Sequence, residues 1–331
     1  YGSEQEVALL LAACDHIFGS EAVEPDQTEN LPAAASPPST PAASELILIS
    51  GYAGIGKSAL VNELNQLTTR QGGYFISGRF DQFKRHIPYA PLIQALGGLM
   101  RQLLLESDDR LQQWRDRLQP ALGDSAQVMI DVIPELELVI GEQPPVVHLA
   151  PAEAQNRLNR AFHHFIQVFA QPETPLVMFL DDLQWIDSAT LKLMQLLLTA
   201  ADSHSLLLLA AYRDHEIPPA HPLLQTIQDI RQAGTRVSQI ELQPLSLESV
   251  TQFIAATLNQ PDDRILPLAQ RIHQQTGGNP FFLTQLLYTL AQEGILRFDF
   301  GTGHWQWDLE QVETTDIFAQ DVAVLITNRI Q

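Results

Sequence analysis

The chain has 331 residues, 45% hydrophobic and 18% charged, which is the composition of a folded protein with two or three structural units. Acidic residues exceed basic ones by 39 to 19, and the resulting net charge of −20 disfavours binding of nucleic acid or an anionic membrane by the chain as a whole. The single cysteine, Cys14, cannot form an intrachain disulfide, and no apolar run reaches the roughly 18 residues that cross a bilayer, so we expect a cytoplasmic protein.

The N-terminal segment predicts one helix followed by a linker. Over residues 1–18, apolar residues such as Val7, Leu10 and Cys14 recur at helical spacing. Residues 19–44 are rich in Ala, Pro, Ser, Thr and acids, with almost nothing to bury. This composition is typical of a flexible linker or insertion.

Strands alternate with helices over residues 45–243. The predicted strands are short runs of apolar or β-branched residues, at 46–49, 74–77, 176–180, 206–212 and 236–242. The helices predicted between them are at 57–70, 152–169, 188–201 and 222–233, with a mostly helical segment at 89–119 and two short helices divided at Pro134 over 124–140. This alternation predicts an α/β fold, a five-stranded parallel sheet with helices on both faces.

After Pro244 the pattern becomes helical. Three helices are predicted at 247–258, 264–275 and 280–293, followed by a hairpin whose strands flank Gly301-Thr302-Gly303. We interpret 244–279 as a helical lid and 280–331 as a truncated winged-helix-like unit. The apolar pattern at 322–326 has no stop signal, which suggests a piece of a longer protein.

The sharpest motif is a phosphate-binding loop directly after the first strand of the sheet. Two glycines five residues apart precede Lys57 and Ser58, and the glycines let several backbone N–H groups surround one phosphate. Lys57 would contact the β- and γ-phosphates and Ser58 would bind Mg²⁺. The predicted nucleotide-binding residues are Gly51, Tyr52, Ala53, Gly54, Ile55, Gly56, Lys57, Ser58 and Ala59.

A pair of carboxylates, Asp181 and Asp182, follows the apolar strand at 176–180. The carboxyl ends of parallel strands form the ligand-binding edge of such a sheet. We expect Asp181 to hold Mg²⁺ and Asp182 to act as the general base that activates water. The alternative is that both are solvated loop acids or helix caps.

Two further features carry weaker signals. Arg213 directly follows the strand at 206–212, from which its guanidinium would sense the charge of a γ-phosphate; the alternative is a surface arginine at a strand end. The segment Thr276-Gly277-Gly278-Asn279-Pro280 separates two predicted helices, and an ordinary interhelical turn accounts for it.

Four stretches together resemble the signal-transduction ATPases with numerous domains, a branch of the AAA-like P-loop NTPases. These stretches are SGYAGIGKSALVNEL, PLVMFLDDLQWIDSATLKLM, LLLLAAYRDHE and TGGNPFFLTQLLYTLAQEGIL. The stretch GYFISGRFDQFKRHIPYAPLIQAL is similar to the ATPase segment of very large bacterial sensor kinases. In those proteins the segment lies between a Ser/Thr kinase-like domain and GAF and histidine-kinase domains.

The resemblance implies an ATP- and ADP-binding switch that works with Mg²⁺ and with other domains of a signalling chain or its oligomer. It implies that Arg213 occupies the first sensor position and that Pro280 contacts nucleotide from the lid. Lys57, Asp182 and Arg213 would then be the catalytic residues. The family usually begins with Gly-Arg-Glu, whereas this chain has Gly2-Ser3-Glu4.

Three other functions fit parts of this pattern. A scaffold could bind nucleotide without hydrolysing it, and a winged helix could bind DNA. Few basic residues, Arg297 and Arg329, lie between residues 277 and 331, which disfavours DNA binding. A small-molecule P-loop kinase is a third alternative, which the helices after the fifth strand disfavour.

Overall fold

A computed structural model describes residues 2, 4–18, 43–85, 87–301 and 303–314. Ser3, most of the expected linker (residues 19–42) and the apolar pattern at 322–326 lie outside the described residues. The chain divides into two compact units, each of which has its own hydrophobic core.

The first unit comprises Glu6–Gly51 and Ser58–Glu241 and contains a five-stranded sheet. Its strands are β1 (Glu45–Ser50), β2 (Tyr74–Arg79), β3 (Leu176–Asp181), β4 (Leu206–Tyr212) and β5 (Arg236–Glu241). Their order is β2-β3-β4-β1-β5, and every neighbouring pair is parallel. The predicted five-stranded parallel sheet is therefore confirmed.

The three central strands are apolar along almost their whole length because helices cover both faces of the sheet. All residues of β1 and β4 are buried, as are the first five of β3. A strand buried on both faces has no solvent side on which polar residues would be favourable. The edge strands β2 and β5 instead include exposed residues, which alternate with buried ones only toward the end of each strand.

Nine helices are described for this first unit. They are α1 (Glu4–Phe18), α2 (Lys57–Arg70), α3 (Ala90–Leu103), α4 (Asp108–Leu122), α5 (Ala126–Val132), α6 (Glu135–Ile140), α7 (Pro151–Phe169), α8 (Ser188–Thr199) and α9 (Pro222–Gln232). The main core joins one face of the sheet, including Met178 and Leu208, to α3–α9. Within the described ranges, no helix combines the length and apolarity that a membrane crossing requires.

Local signals account for where several helices begin. The Asp187 side chain accepts a hydrogen bond from the Thr190 N–H at 2.8 Å and so caps α8. Proline in the first turn of α7 and α9 fits the backbone angle of a helix start and removes a donor that would lack a helical partner.

The second unit comprises Tyr1–Gln5, Tyr52–Lys57 and Leu242–Gln331. Its elements are α10 (Leu247–Leu258), α11 (Asp262–Thr276), α12 (Pro280–Gln292), β6 (Leu296–Asp299), β7 (His304–Trp307) and α13 (Leu309–Thr314). The antiparallel pair β6–β7 is the expected hairpin. A single core joins residues such as Ile254, Ile272 and Leu286, and the division into a lid and a winged-helix-like unit stays a prediction.

The chemistry of Cys14 gives a test of how α1 packs in the first unit. The residue is 2% exposed, and burial, reinforced by the negative charge of Asp15, raises the pKa of the thiol to about 12. Only the thiolate reacts rapidly with disulfide reagents. We therefore expect no reaction of native Cys14 with a chromogenic disulfide reagent at mildly alkaline pH, and one equivalent of reaction after unfolding in guanidinium. Rapid reaction of the native chain would contradict this packing.

Candidate functional site

The loop between β1 and α2 has a backbone that its glycines make possible. Gly51, Gly54 and Gly56 have φ angles of 147°, 75° and 107°. Residues with a Cβ atom rarely adopt such angles. The helix α2 then begins at Lys57, directly after the last of these glycines. The loop therefore has the strand-loop-helix setting that the sequence motif requires.

Lys57 is held close to the loop that precedes it. Its ammonium donates a hydrogen bond to the Tyr52 carbonyl oxygen at 2.9 Å. A second hydrogen bond, from the Ile55 N–H to the same carbonyl at 3.4 Å, tightens the turn. The positive charge of Lys57 therefore lies over the loop.

The start of α12 packs directly on this loop, within the second unit. The Asn279 side-chain amide donates to the Ala53 carbonyl at 2.9 Å, and the Phe281 N–H donates to the Gly54 carbonyl at 3.3 Å. The Asn279 side-chain oxygen also accepts from the Phe281 N–H at 3.0 Å and caps the helix. The segment before α12 thus caps that helix and also contacts the loop. Pro280 lies between Asn279 and Phe281, the two residues that make these contacts.

Gly54 is required at this contact for two reasons. Its φ of 75° is left-handed, and a Cβ atom added to it would lie 2.6 Å from the Phe281 Cβ. The sequence motif asks for glycine only at the first and sixth positions, Gly51 and Gly56. The need for Gly54 follows from the approach of α12, which the motif does not contain.

Ser58 and Asp181 bring two oxygen atoms together in the first unit. The Ser58 hydroxyl donates to the Asp181 Oδ2 at 3.5 Å, and the Asp181 Oδ1 accepts from the Asp182 N–H at 2.9 Å. Hydroxyl and carboxylate oxygens are the ligands that Mg²⁺ prefers, together with water and phosphate. The donor set therefore fits Mg²⁺, as the motifs predict. Among the described residues, no group of three or more His, Cys, Asp or Glu forms a metal cluster.

Asp182 is a buried carboxylate with several donors around it. It is 2% exposed and has left-handed backbone angles, φ 58° and ψ 45°. Its Oδ2 accepts from Arg79 Nε at 2.8 Å and lies 2.7 Å from Arg79 Nη2. Its Oδ1 accepts from the Gln184 amide at 3.0 Å and lies 3.5 Å from Arg213 Nε. The interpretation as a solvated loop acid is therefore wrong for Asp182.

The ion pair between Arg79 and Asp182 also affects the pKa of Arg79. Partial burial by itself would lower the pKa of Arg79, but the hydrogen bond and charge of Asp182 outweigh it. The charges of Asp181 and Asp81 act in the same direction, so the net effect is a raised pKa. Arg79 therefore stays fully charged and compensates the buried carboxylate.

Arg213 is a partner of this carboxylate, and its side chain is only 23% exposed. Besides its contact with Asp182, its guanidinium binds Glu216 at 2.7 Å and lies 5.6 Å from the centre of the Trp185 ring. Its backbone N–H donates to the Gln184 side-chain oxygen at 3.3 Å. Arg213 is therefore ion-paired and only partly exposed, which disfavours the alternative of a surface arginine at a strand end, and its role as a sensor stays a prediction.

Sequence reasoning missed three residues of this arrangement. Arg79 ends β2, which the apolar pattern stopped two residues early at Ser77, and it carried no motif. Gln184 follows the two aspartates closely but belongs to no general chemical signature. Asn279 read as a turn residue, and only the fold shows that it contacts the loop. A buried carboxylate requires charge compensation, and that requirement was the available signal for Arg79.

A protein-family profile described as "AAA ATPase domain" matches residues 26–209. The chain is 28% identical, over an alignment 347 positions long, to hybrid signal transduction histidine kinase G of Dictyostelium discoideum, a match that covers 86% of this chain and 10% of that protein. It is 22% identical, over an alignment 307 positions long, to the peroxide stress-activated histidine kinase mak3 of Schizosaccharomyces pombe, covering 82% of this chain and 13% of the relative. The chain thus spans about a tenth of the length of these relatives.

Among solved structures, Cdc6p from Pyrobaculum aerophilum aligns with a TM-score of 0.46 and 13% identity, over 88% of this chain and 62% of that one. The ORC2 protein of Aeropyrum pernix, solved as ADPNP-ADP complexes, aligns with a TM-score of 0.41 and 13% identity, over 82% of this chain and 60% of that one.

Gly54→Ala tests the contact between the loop and α12. Both the left-handed φ and the short distance to Phe281 oppose a Cβ atom, and we expect the free energy of unfolding to fall by about 2–4 kcal/mol. Gly72→Ala is the matched control, because Gly72 has a φ of 80° but nothing within 4 Å of an added Cβ. The free energy of unfolding of Gly72→Ala should fall by only about 1–2 kcal/mol. Equal losses in the two variants, measured by denaturant unfolding, would show that Phe281 does not crowd Gly54.

Proposed function

Because the chain belongs to the AAA ATPase domain family, we propose that it is an ATP-binding, slowly ATP-hydrolysing switch module of a larger signal-transduction protein. The observation that carries the proposal is the glycine loop, whose three left-handed glycines lead directly into Lys57 and Ser58 at the start of α2. The relatives with histidine kinase names support the signalling context.

The phosphates of ATP or ADP would bind at the loop. Backbone N–H groups at the start of α2 and the positive end of its dipole attract an anion. The Lys57 ammonium, already at the Tyr52 carbonyl, would supply a charge to the β- and γ-phosphates. The residues proposed to line the phosphates are 51–59.

Ser58 and Asp181 would hold Mg²⁺ together with the phosphates. When bound, this ion neutralises charge on the phosphate oxygens and stabilises the charge that develops on them during transfer. The 3.5 Å approach of the Ser58 hydroxyl to the Asp181 carboxylate supports this assignment.

Asp182 would orient and deprotonate the attacking water, and its surroundings support slow turnover. Two guanidinium groups lie against the carboxylate, with Arg79 Nη2 at 2.7 Å and Arg213 Nε at 3.5 Å from its oxygens. Water would have to compete with Arg79 and Gln184 for the same oxygens. Arg213 would interact with the γ-phosphate, and its contact with Asp182 would change as a result.

The second unit would transmit the nucleotide state. Asn279 and Phe281 hydrogen-bond to loop carbonyls, so a change of loop conformation on nucleotide binding would reach α12 directly. These contacts support the proposal that Pro280 lies near bound nucleotide. The domains that respond would belong to the same signalling chain or its oligomer, in the cytoplasm.

A scaffold that binds nucleotide without hydrolysing it is a second candidate, favoured by one observation. The proposed base, Asp182, is surrounded by donors from Arg79, Gln184 and Arg213. A protein that does not hydrolyse ATP does not need a carboxylate that is accessible to water. DNA binding has no such support, because the hairpin and the start of α13 carry Asp299, Asp308 and Glu310 around Arg297.

The first experiment would denature the purified chain and identify any released nucleotide by chromatography. Stoichiometric ADP would support a closed switch that holds its product. A chain that is empty and also fails to bind added Mg-ATP would refute nucleotide binding and with it the proposed function.

Lys57→Ala removes the charge at the loop, so we expect ATP affinity to fall by roughly tenfold to a hundredfold, since a charge-assisted contact contributes about 1.5–3 kcal/mol. Lys192→Ala is the control, because Lys192 is exposed on α8, outside the proposed site. Titration calorimetry with Mg-ATP measures both. An unchanged affinity in Lys57→Ala would contradict the proposed phosphate site.

Asp182→Asn distinguishes the switch from the scaffold. We expect the variant to bind ATP but to lose about 10²–10⁴-fold in turnover, the contribution typical of a general base. Arg79→Gln is the matched variant, because it breaks the same ion pair while leaving the carboxylate in place. It should keep or raise turnover in a phosphate-release assay. If both variants turn over equally, Asp182 is not the base; if the parent chain shows no turnover, the scaffold is favoured.

A further inference from the structure

We infer that the free edge of β2 is a docking groove for a short extended peptide segment that carries an acidic side chain. The groove lies in the first unit, between α2 and α3, and is lined by all five residues of Phe75–Arg79. The inference goes beyond nucleotide binding and does not rest on hydrolysis.

Among the residues that the structure describes, no strand pairs with the outer side of the β2 backbone. The order β2-β3-β4-β1-β5 places β2 at an edge. The N–H groups of Tyr74 and Phe80 donate to Pro175 and Asp181 at 3.0 Å each, so the even-numbered residues face β3. Because alternate residues of a strand direct their backbone groups to opposite sides, Phe75, Ser77 and Arg79 direct theirs away from β3.

A cavity of about 520 Å³ lies along this edge. Its walls come from α2 and α3, with Asn62, Asn65, Gln94, Gly98, Arg101 and Gln102 among the lining residues. Its Arg79 end also includes Ser58 and Asp181, the proposed Mg²⁺ ligands, so the groove adjoins the proposed nucleotide site there. Five strand residues span about 16 Å, so the groove matches a segment of about five residues in extended conformation. An added strand would bond to the free backbone groups of β2.

Gly98 supports the view that the space is kept open. Glycine inside a helix costs about 1 kcal/mol relative to alanine, and α3 carries two in succession. Gly97 has a packing reason, because a Cβ atom there would lie 3.1 Å from the Glu135 carboxylate. Gly98 has no such packing reason, because the nearest atom to a Cβ added there would be Arg101 Nη2 at 3.8 Å. The missing side chain of Gly98 instead widens the groove.

The charges and donors of the groove define the chemistry of the segment. Arg79 and Arg101 line it with side chains that are 66% and 57% exposed. Each has an acidic partner, Asp182 and Glu135, but each guanidinium has five N–H donors and retains some for a ligand. Asp181 lies at the Arg79 end, so a carboxylate of the segment is best placed at the Arg101 end. The side-chain amides of Asn62 and Gln102 could hydrogen-bond to polar residues of the segment on either side of that carboxylate.

The lining favours a peptide over a small anion. A site for a small anion needs a few converging donors, whereas here five consecutive residues of one strand form the floor. The unpaired backbone of an edge strand offers alternating donors and acceptors, and another extended chain provides the matching pattern.

The test selects random linear peptides on phage against the full chain in the absence of nucleotide. We expect enrichment of peptides with β-branched residues and an Asp or Glu. The affinity of a selected synthetic peptide is then measured by fluorescence anisotropy on four variants and the parent chain. Because no nucleotide is present, failure here leaves the proposed ATPase function untouched.

The variants separate loss of docking from loss of fold. Gly98→Leu should reduce affinity more than tenfold by filling the groove, while thermal stability stays equal or rises because leucine favours helix. Ser77→Pro removes one free-edge N–H without touching the pairing with β3 and should reduce affinity roughly fivefold to tenfold. Ser77→Ala, which keeps that N–H, and Lys192→Gln, outside the groove, should leave affinity unchanged.

Three results would overturn the inference. The first is that no peptide is enriched over an unrelated control protein. The second is that a selected peptide binds Gly98→Leu as well as the parent chain. The third is displacement of the peptide by excess inorganic phosphate from the Lys57→Ala variant as well as from the parent chain, which would make the groove itself a site for a small anion. A loss of affinity in Gly98→Leu with unchanged stability would support docking even if Ser77→Pro fails to fold.

Discussion

The buried charge of Asp182 is the constraint around which the carboxyl edge of the sheet is organised. An ionised carboxylate in a dry environment is unfavourable by several kcal/mol unless donors and opposite charges surround it. Here the compensation comes from Arg79 at the end of β2 and from Arg213 after β4. Because β3 lies between these two strands, one side chain ties the ends of three neighbouring strands together.

The chemistry of Asp182 at the carboxyl edge of the sheet therefore depends on the positions of its two arginine partners. The same guanidinium groups that stabilise Asp182 also occupy its oxygens, so any change that moves Arg79 or Arg213 alters how much of the carboxylate a water molecule could reach. Arg79 also lines the groove beside β2, and Arg213 stacks near Trp185. The carboxylate is therefore in contact with residues that face two different parts of the first unit.

A second constraint acts at the glycine loop. Its left-handed angles need glycine, and its carbonyls at Ala53 and Gly54 accept hydrogen bonds from Asn279 and Phe281. These contacts join residues more than 200 positions apart in sequence, in a unit that contains both the loop and α12. A loop of this kind cannot change shape without changing its bonds to that helix.

Much of the fold could be predicted because its signals are local. Each signal lies within a few consecutive residues: the apolar runs at β1, β3 and β4, the glycine spacing before Lys57, and the change from strands to helices after β5. Such runs indicate strands buried on both faces, and the loop motif indicates a phosphate site. The carboxylates were likewise predicted to follow a strand; Asp182 does, whereas Asp181 is the last residue of β3.

The sequence by itself determined the element types, the parallel sheet and the phosphate-loop motif, because these depend on side-chain periodicity and on backbone angles that few residues adopt. Only the tertiary structure decided the strand order, the pairing of Arg79 and Arg213 with Asp182, the contact of Asn279 with the loop, and the open edge of β2. These features join residues that are far apart along the chain, and neither periodicity nor local conformational preference records which distant side chains meet.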